Sequence, residues 1–239
     1  MRILPEILAP TWIVCLLSVG LSMASDALQV LPERLGEVEP GTMLYGYLMG
    51  EAEKAFKHRE EAYEQLKTPE QLRAHQRRMQ EFLRAQLGDF PSKTPLNARV
   101  VRRHERDGYS IERILYESRP QHYVTALLYL PKTPAPHPAV LIACGHSPNA
   151  KSSEAYQRAG ILLAKSGMAA LCYDPIGQGE RHQILQPDGR PRFENGVEHM
   201  LVAPGSILLG RSAATYRIWD GIRGLDYLES REDIDLQRL

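Results

Sequence analysis

The sequence predicts an α/β protein: a mostly parallel sheet flanked by helices, behind an N-terminal helical extension. Three observations predict it. Two apolar runs, 139–144 and 168–173, are continuous rather than alternating, as strands buried on both faces are. A helical stretch at 154–165 separates them, and β-α-β alternation implies parallel pairing through a right-handed crossover. Residues 42–88 carry only the three-and-four spacing of helices.

The elements follow in order. In the first helix Leu44, Leu48, Ala52, Ala55, Ala62, Tyr63 and Leu66 share a face. The second opens at Thr68-Pro69-Glu70-Gln71, with an N-cap, a proline at the first helical position and a glutamine able to close a capping box. Its stripe is Leu72, Met79, Phe82, Leu83 and Leu87, and Gly88 supplies the stop. After Pro95 the pattern turns to strands at 98–105, 109–117 and 122–130, then a proline-rich loop from Pro131 to Pro138. The buried strand Ala139–Cys144, the helix Glu154–Lys165 stopped by Gly167, and the buried strand Met168–Tyr173 come next. Residues 174–211 read as a loop with scattered Pro and Gly, and Ala213–Ser230 as a helix with Tyr216, Ile218, Trp219, Ile222, Leu225 and Leu228 on its apolar side. A further parallel strand is expected from Leu236 onward.

Composition narrows the partners. Lys plus Arg and Asp plus Glu are 29 each, so the chain has no net charge and no electrostatic reason to bind nucleic acid. The apolar run Ile7–Leu21 after Arg2, followed by Ser22-Met23-Ala24, reads as a signal peptide over residues 1–24. At about 15 residues it is shorter than the ~20 that a spanning helix needs, so no stable membrane anchor is expected and the mature protein is expected to be secreted or periplasmic. The division is then 1–24, a helical extension 25–95, and an α/β domain 96–239. Cys144 and Cys172 each close an apolar run and read as small buried hydrophobes, with a disulfide open as the alternative. No Cys or His pair has ligand spacing, so neither metal nor cofactor is expected.

In open α/β sheets, ligands bind beyond the carboxyl ends of the strands. Two loops leave such ends: Cys144-Gly145-His146-Ser147-Pro148-Asn149, and Asp174-Pro175-Ile176-Gly177-Gln178-Gly179-Glu180-Arg181. Together with Tyr156-Gln-Arg-Ala-Gly-Ile-Leu-Leu-Ala164 and Ala214-Thr-Tyr-Arg-Ile-Trp-Asp-Gly221, they resemble the acetyl xylan esterase-like branch of the α/β-hydrolases, over roughly residues 42–239. That branch borders on the dienelactone hydrolases and prolyl-oligopeptidase-type esterases. The resemblance implies an α/β-hydrolase fold and a serine-type carboxylic ester hydrolase acting on a small-molecule or carbohydrate ester. A dienelactone- or prolyl-oligopeptidase-type hydrolase and a non-catalytic secreted binding protein are the alternatives.

Such enzymes carry Gly-x-Ser-x-Gly on the turn after the next strand, then an acid, then a histidine. The chain contains no such motif. Gly145-His146-Ser147 begins like an elbow, but Pro148 lacks the N–H that the residue after a nucleophile must donate. Ser147 is therefore not expected to be the nucleophile. The chain is expected to be an N-terminal part, inactive alone, that stops before the elbow. The loop after Cys144 is expected to give an oxyanion donor instead: the His146 backbone N–H first, Ser147 second. Gln178, Glu180, Arg181 and His199 are the substrate-binding candidates, and Asp174 is expected to brace its own turn. An ordinary tight turn at Gly145, a Glu180–Arg181 pair on the surface and a solvated loop around His199 are the plainer alternatives.

Overall fold

The computed structural model describes residues 39–193 and 197–239, with Leu28, Val30, Leu31, Gly36 and Glu37. The signal-peptide reading of residues 1–24 lies outside them. The chain divides into two compact units between His75 and Gln76.

The first unit holds α1 (Met43–Glu64) and the first turns of α2 (Pro69–Leu87). The capping box at the α2 start forms as its sequence requires. The Gln71 Oε1 accepts the N–H groups of Lys67 and Thr68 at 2.8 and 3.0 Å, and Thr68 Oγ1 accepts the Gln71 N–H at 3.3 Å.

The second unit is a five-stranded sheet in the order β1-β2-β3-β5-β4, made of β1 (Arg99–Arg106), β2 (Tyr109–Arg119), β3 (His122–Pro131), β4 (Ala139–Ala143) and β5 (Ala169–Tyr173). The sheet is mixed rather than mostly parallel. β1–β2, β2–β3 and β3–β5 pair antiparallel, and only β4–β5 is parallel. The cause is loop length. Two-residue gaps after β1 and β2 allow only hairpins, whereas the β4–β5 connection contains the crossover helix α3 (Glu154–Lys165).

Period-two alternation splits the strands between two cores. Tyr116, Val124, Ala126, Leu128, Leu171 and Tyr173 face one side with Tyr227 and Leu228 of α5 (Ala213–Glu229). Tyr129, Ala170 and Cys172 face the other, packed by Ile161 and Leu163 of α3. The result is helix on sheet on helix. Gly160 lets α3 come close, because a Cβ there would lie 2.5 Å from the Tyr129 ring. The two thiols sit side by side, Sγ to Sγ 3.4 Å and unbonded, with Cys172 buried and Cys144 half-buried.

Two sequence expectations change. Residues 197–208 form a helix, α4 (Val197–Leu208), inside the expected loop. Leu236–Arg238 form a 3-10 turn rather than a strand, although Ile234 just before it pairs in parallel with His137, at the foot of β4. Among the described residues no helix is long and apolar enough to cross a membrane.

Candidate functional site

Because β4 and β5 run parallel, their carboxyl ends open on the same side, and the loops that leave them meet there. They are stitched together. Gln178 is buried, and its Oε1 accepts the Ser147 N–H at 2.7 Å; the Gly179 N–H donates to the Pro148 carbonyl at 3.2 Å. The Gly145 N–H is held by the Tyr156 hydroxyl at 2.6 Å. Of the three consecutive amides in this turn, the His146 N–H alone has no hydrogen bond among the described residues. The His146 imidazole reaches across to His199 on α4, with Nε2 to Nε2 at 3.4 Å.

Asp174, wholly buried, braces the second loop. Its carboxylate accepts from Thr125 Oγ1 at 2.7 Å, from the N–H groups of Lys151 and Glu180 at 3.1 Å each, and from the Lys151 ammonium. Gly179 makes this geometry available. It has φ +59, and a Cβ there would lie 2.4 Å from Asp174 Oδ1, so no side chain fits. Lys151, 3% exposed, also pairs with Glu180 at 2.6 Å.

A second buried carboxylate, Asp220 on α5, accepts from Ser118 Oγ at 2.5 Å and from Arg181 Nη1 at 2.8 Å. Arg181 also donates to the Asp174 carbonyl at 2.9 Å and meets His122 Nε2 at 2.8 Å. Burial opposes ionisation of Asp220, yet contact with His122, the Arg181 charge and the Ser118 hydroxyl hold its carboxyl below the usual carboxylate range.

Beside these networks lies a cavity of about 360 Å³, within the range of small-ligand pockets (about 300–1,000 Å³). Ile176, Val202, Leu209, Ala213 and Tyr216 form its apolar wall; His122, His199 and Arg217 give it polar edges. α4 supplies much of that wall and is pinned by Glu198. This buried carboxylate takes the Gln183 N–H and lies 2.9 Å from His182 Nδ1. Burial, then the charges of Arg217 and His146, push the His199 pKa down, and its Nδ1 has no partner.

The structure thus brings together His146, Ser147, Gln178 and His199 of the sequence candidates. It places Glu180 and Arg181 elsewhere: Glu180 on Lys151, Arg181 on Asp220, neither on the cavity wall and not paired with each other. Trp219 is core, as its helical spacing implies; it stacks on Phe90 and donates to the Ser118 carbonyl at 2.6 Å. Tyr216, read from the same stripe as core, lines the cavity instead, under the Arg119 guanidinium at 4.4 Å. Sequence reasoning passed over Arg217 and His122. Their relevance depends on groups far away in the chain, such as Arg181 for His122, and no local spacing signals it. Among the described residues no group of three or more His, Cys, Asp or Glu is placed to hold a metal ion.

No protein-family model matches the chain. Among curated proteins, YtaP of Bacillus subtilis strain 168, provisionally named a hydrolase, is 27% identical over 164 residues, covering 64% of this chain and 50% of that one. Among solved structures, a provisionally named acetyl xylan esterase of Bacteroides fragilis matches with TM-score 0.57 at 21% identity, over 72% of this chain and 46% of that one. The acetyl xylan esterase of Paenibacillus sp. R4 matches with TM-score 0.42 at 22% identity, over 61% of this chain and 45% of that one. The chain therefore spans about half the length of the relatives it matches. The Bacteroides likeness shows the fold, a mixed sheet flanked by helices of α/β-hydrolase type.

Proposed function

We propose that this chain supplies the oxyanion-donor loop and the substrate pocket of a serine-type carboxylic ester hydrolase that acts on a small acylated carbohydrate. One observation carries the reading. In the turn after β4, Gln178 occupies the Ser147 N–H, Tyr156 occupies that of Gly145, and the His146 N–H between them stays open. The fold takes one oxyanion donor from the loop after this strand. A preset N–H aimed at the developing oxyanion acts without reorganisation, which is why such donors weigh heavily in acyl transfer.

Ser147 is not the nucleophile in this reading. It is followed by Pro148, and no side-chain base touches its hydroxyl. No Gly-x-Ser-x-Gly occurs among these 239 residues, so in this reading none of them is assigned as the nucleophile. Names and fold of the relatives support the reaction class; acetyl xylan is one substrate those names suggest. Export rests on Ile7–Leu21 and Ser22-Met23-Ala24 alone, and a mature N-terminus near Ser25 in the native host tests it; intact Met1 on cytoplasmic protein would refute it.

The test of the donor uses the chain joined to its Gly-x-Ser-x-Gly segment and an aryl acetate. His146→Pro removes the N–H and is expected to cost about 10²–10³ in kcat with little change in KM. His146→Ala keeps the N–H and is expected to stay within a few-fold. Equal loss in both variants, or a fluorophosphonate adduct on Ser147, would overturn the assignment.

A further inference from the structure

We propose that the cavity takes the acyl group of the ester, and that this group is apolar and about six to eight carbons long rather than acetyl. The inference rests on reading this cavity as the substrate pocket, and it adds the size and polarity of what enters.

An ester carries two groups on its carbonyl carbon, and in that reading the His146 N–H marks where the carbonyl oxygen lies. The cavity is one side chain away. His199 belongs to its wall, and His199 Nε2 is 3.4 Å from that of His146. A carbonyl held at the His146 N–H thus has the cavity within reach of one of its two groups, and the walls decide which.

Those walls have little to offer a sugar. Ile176, Val202, Leu209 and Ala213 present hydrocarbon. The polar side chains around them are engaged elsewhere. Ser206 Oγ donates to the Ala203 carbonyl at 2.6 Å, Gln183 Nε2 donates to the Arg181 carbonyl at 2.9 Å, and His122 Nε2 meets Arg181 Nη2 at 2.8 Å. Arg217 Nε and Nη2 and His199 Nδ1 are closed to solvent and do not open into the cavity. Sugar hydroxyls placed here would give up water without finding partners, which costs free energy at each one. An acyl chain gives up no hydrogen bond on the same wall and gains by leaving water.

Volume sets the length. An apolar cavity of ~150 Å³ holds a benzene ring, six carbons, and this one has about 360 Å³. An acetyl methyl would touch a small part of it and leave the remaining wall without dispersion contacts. The wall is also preformed, because Glu198, held against Gln183 and His182, fixes α4 and with it Val202 and the turn to Leu209.

The first test is binding to the full 239-residue chain, which requires no turnover. Two amides, N-hexanoylglucosamine and N-acetylglucosamine, are titrated by calorimetry. The hexanoyl compound is expected to bind at least about tenfold more tightly, because four more methylene groups leave water, and with a more negative heat-capacity change. Val202→Trp fills the space and is expected to remove that preference; Val202→Ala leaves the space open and is expected to keep most of it. Equal binding of the two amides, or an unchanged preference in Val202→Trp, would overturn the inference. A shared melting temperature shows that the variants are folded. The second test uses the extended chain and two isomeric esters, ethyl hexanoate and hexyl acetate, whose long chains lie on opposite sides of the carbonyl. Ethyl hexanoate is expected to have the higher kcat/KM, by about tenfold or more; hexyl acetate turned over equally well or better would give the cavity to the alcohol and sink the assignment. If instead the ester-hydrolase reading fails, neither isomer is turned over while the hexanoyl preference of the 239-residue chain persists.

Discussion

Asp174 and Arg217 are both charged, both withdrawn from water, and both at the same end of the sheet, yet the fold treats them in opposite ways. Asp174 receives four donors and closes its own network; Arg217 Nε and Nη2 find no acceptor among the described residues. The difference separates scaffold from site. A charge whose partners are all within the chain fixes geometry, here the loop that carries Gln178 and so the orientation of Ser147 and His146. A charge left without partners costs stability and gains a use only when something else arrives. Satisfied polar groups are therefore where substitution should unfold the protein, and orphaned ones are where it should not.

The largest effect is expected at Asp174. In Asp174→Ala the Lys151 ammonium, 3% exposed, loses its buried partner and keeps only Glu180, whose side chain is largely in water. Stranding one half of a buried pair costs about 3–5 kcal/mol. Urea unfolding should show a midpoint shift of that size with an unchanged slope. A loss below about 1 kcal/mol would break the contrast, since it would make the saturated network no more structural than the open one.

The two networks were not equally legible in the sequence. The strands β2, β3 and β5 were, because burial on one or two faces writes period two or continuous runs into the residues. The expected strand 122–130 and helix 154–165 appear as His122–Pro131 and Glu154–Lys165. The helix Val197–Leu208 was not, because it contains Pro204 and buries only Glu198 and Ser206, so its apolar side chains face outward without a core stripe. The loop residues His146, Ser147, Gln178 and His199 were legible from their place after strands or in the long connection. Arg217 was not, since it sits beside the core residue Trp219 on a helix whose apolar pattern explains itself without it. Glu180 and Arg181 pointed the right way in the sequence but found nearer partners in Lys151 and Asp220. A residue's type shows that it can bind something; only the fold shows whether it is already bound.

Asp220 gives an intermediate case, saturated but bordering the cavity through His122. Asp220→Asn should cost about 2 kcal/mol at pH 7, the size of a hydrogen bond to a charged group. Its pKa in the fold lies below the carboxylate's ordinary value, so the unfolded chain binds the proton more readily. The stabilisation is therefore fully present above about pH 4, the unfolded value, and is lost as pH falls through the lower folded value. Urea midpoints of the two proteins should be well separated at pH 7 and converge in acid. Parallel curves down to the lowest pH would mean that Asp220 does not titrate in this window and that Arg181 is stabilised by other means.

The smallest effect is the most telling in sign. Arg217→Met should leave the protein as stable as before or raise its stability by about 1 kcal/mol. Methionine fills similar space along an apolar wall and adapts its shape, while the guanidinium it replaces has two shielded donors without acceptors and a pKa pushed down by burial. Replacing unmatched buried charge with packed apolar side chain is commonly neutral or stabilising, and residues kept for function are where such gains are found. The effect is limited because Arg217 is only partly buried and its stem already packs. Calorimetry of the ligand-free chain reads the result directly: a rise of a few degrees, opposite in direction to Asp174→Ala, is expected. A drop of more than about 1 kcal/mol would show that Arg217 is held by contacts as structural as those of Asp174, and the division of this sheet end into a closed scaffold and an open site would fail at its most exposed point.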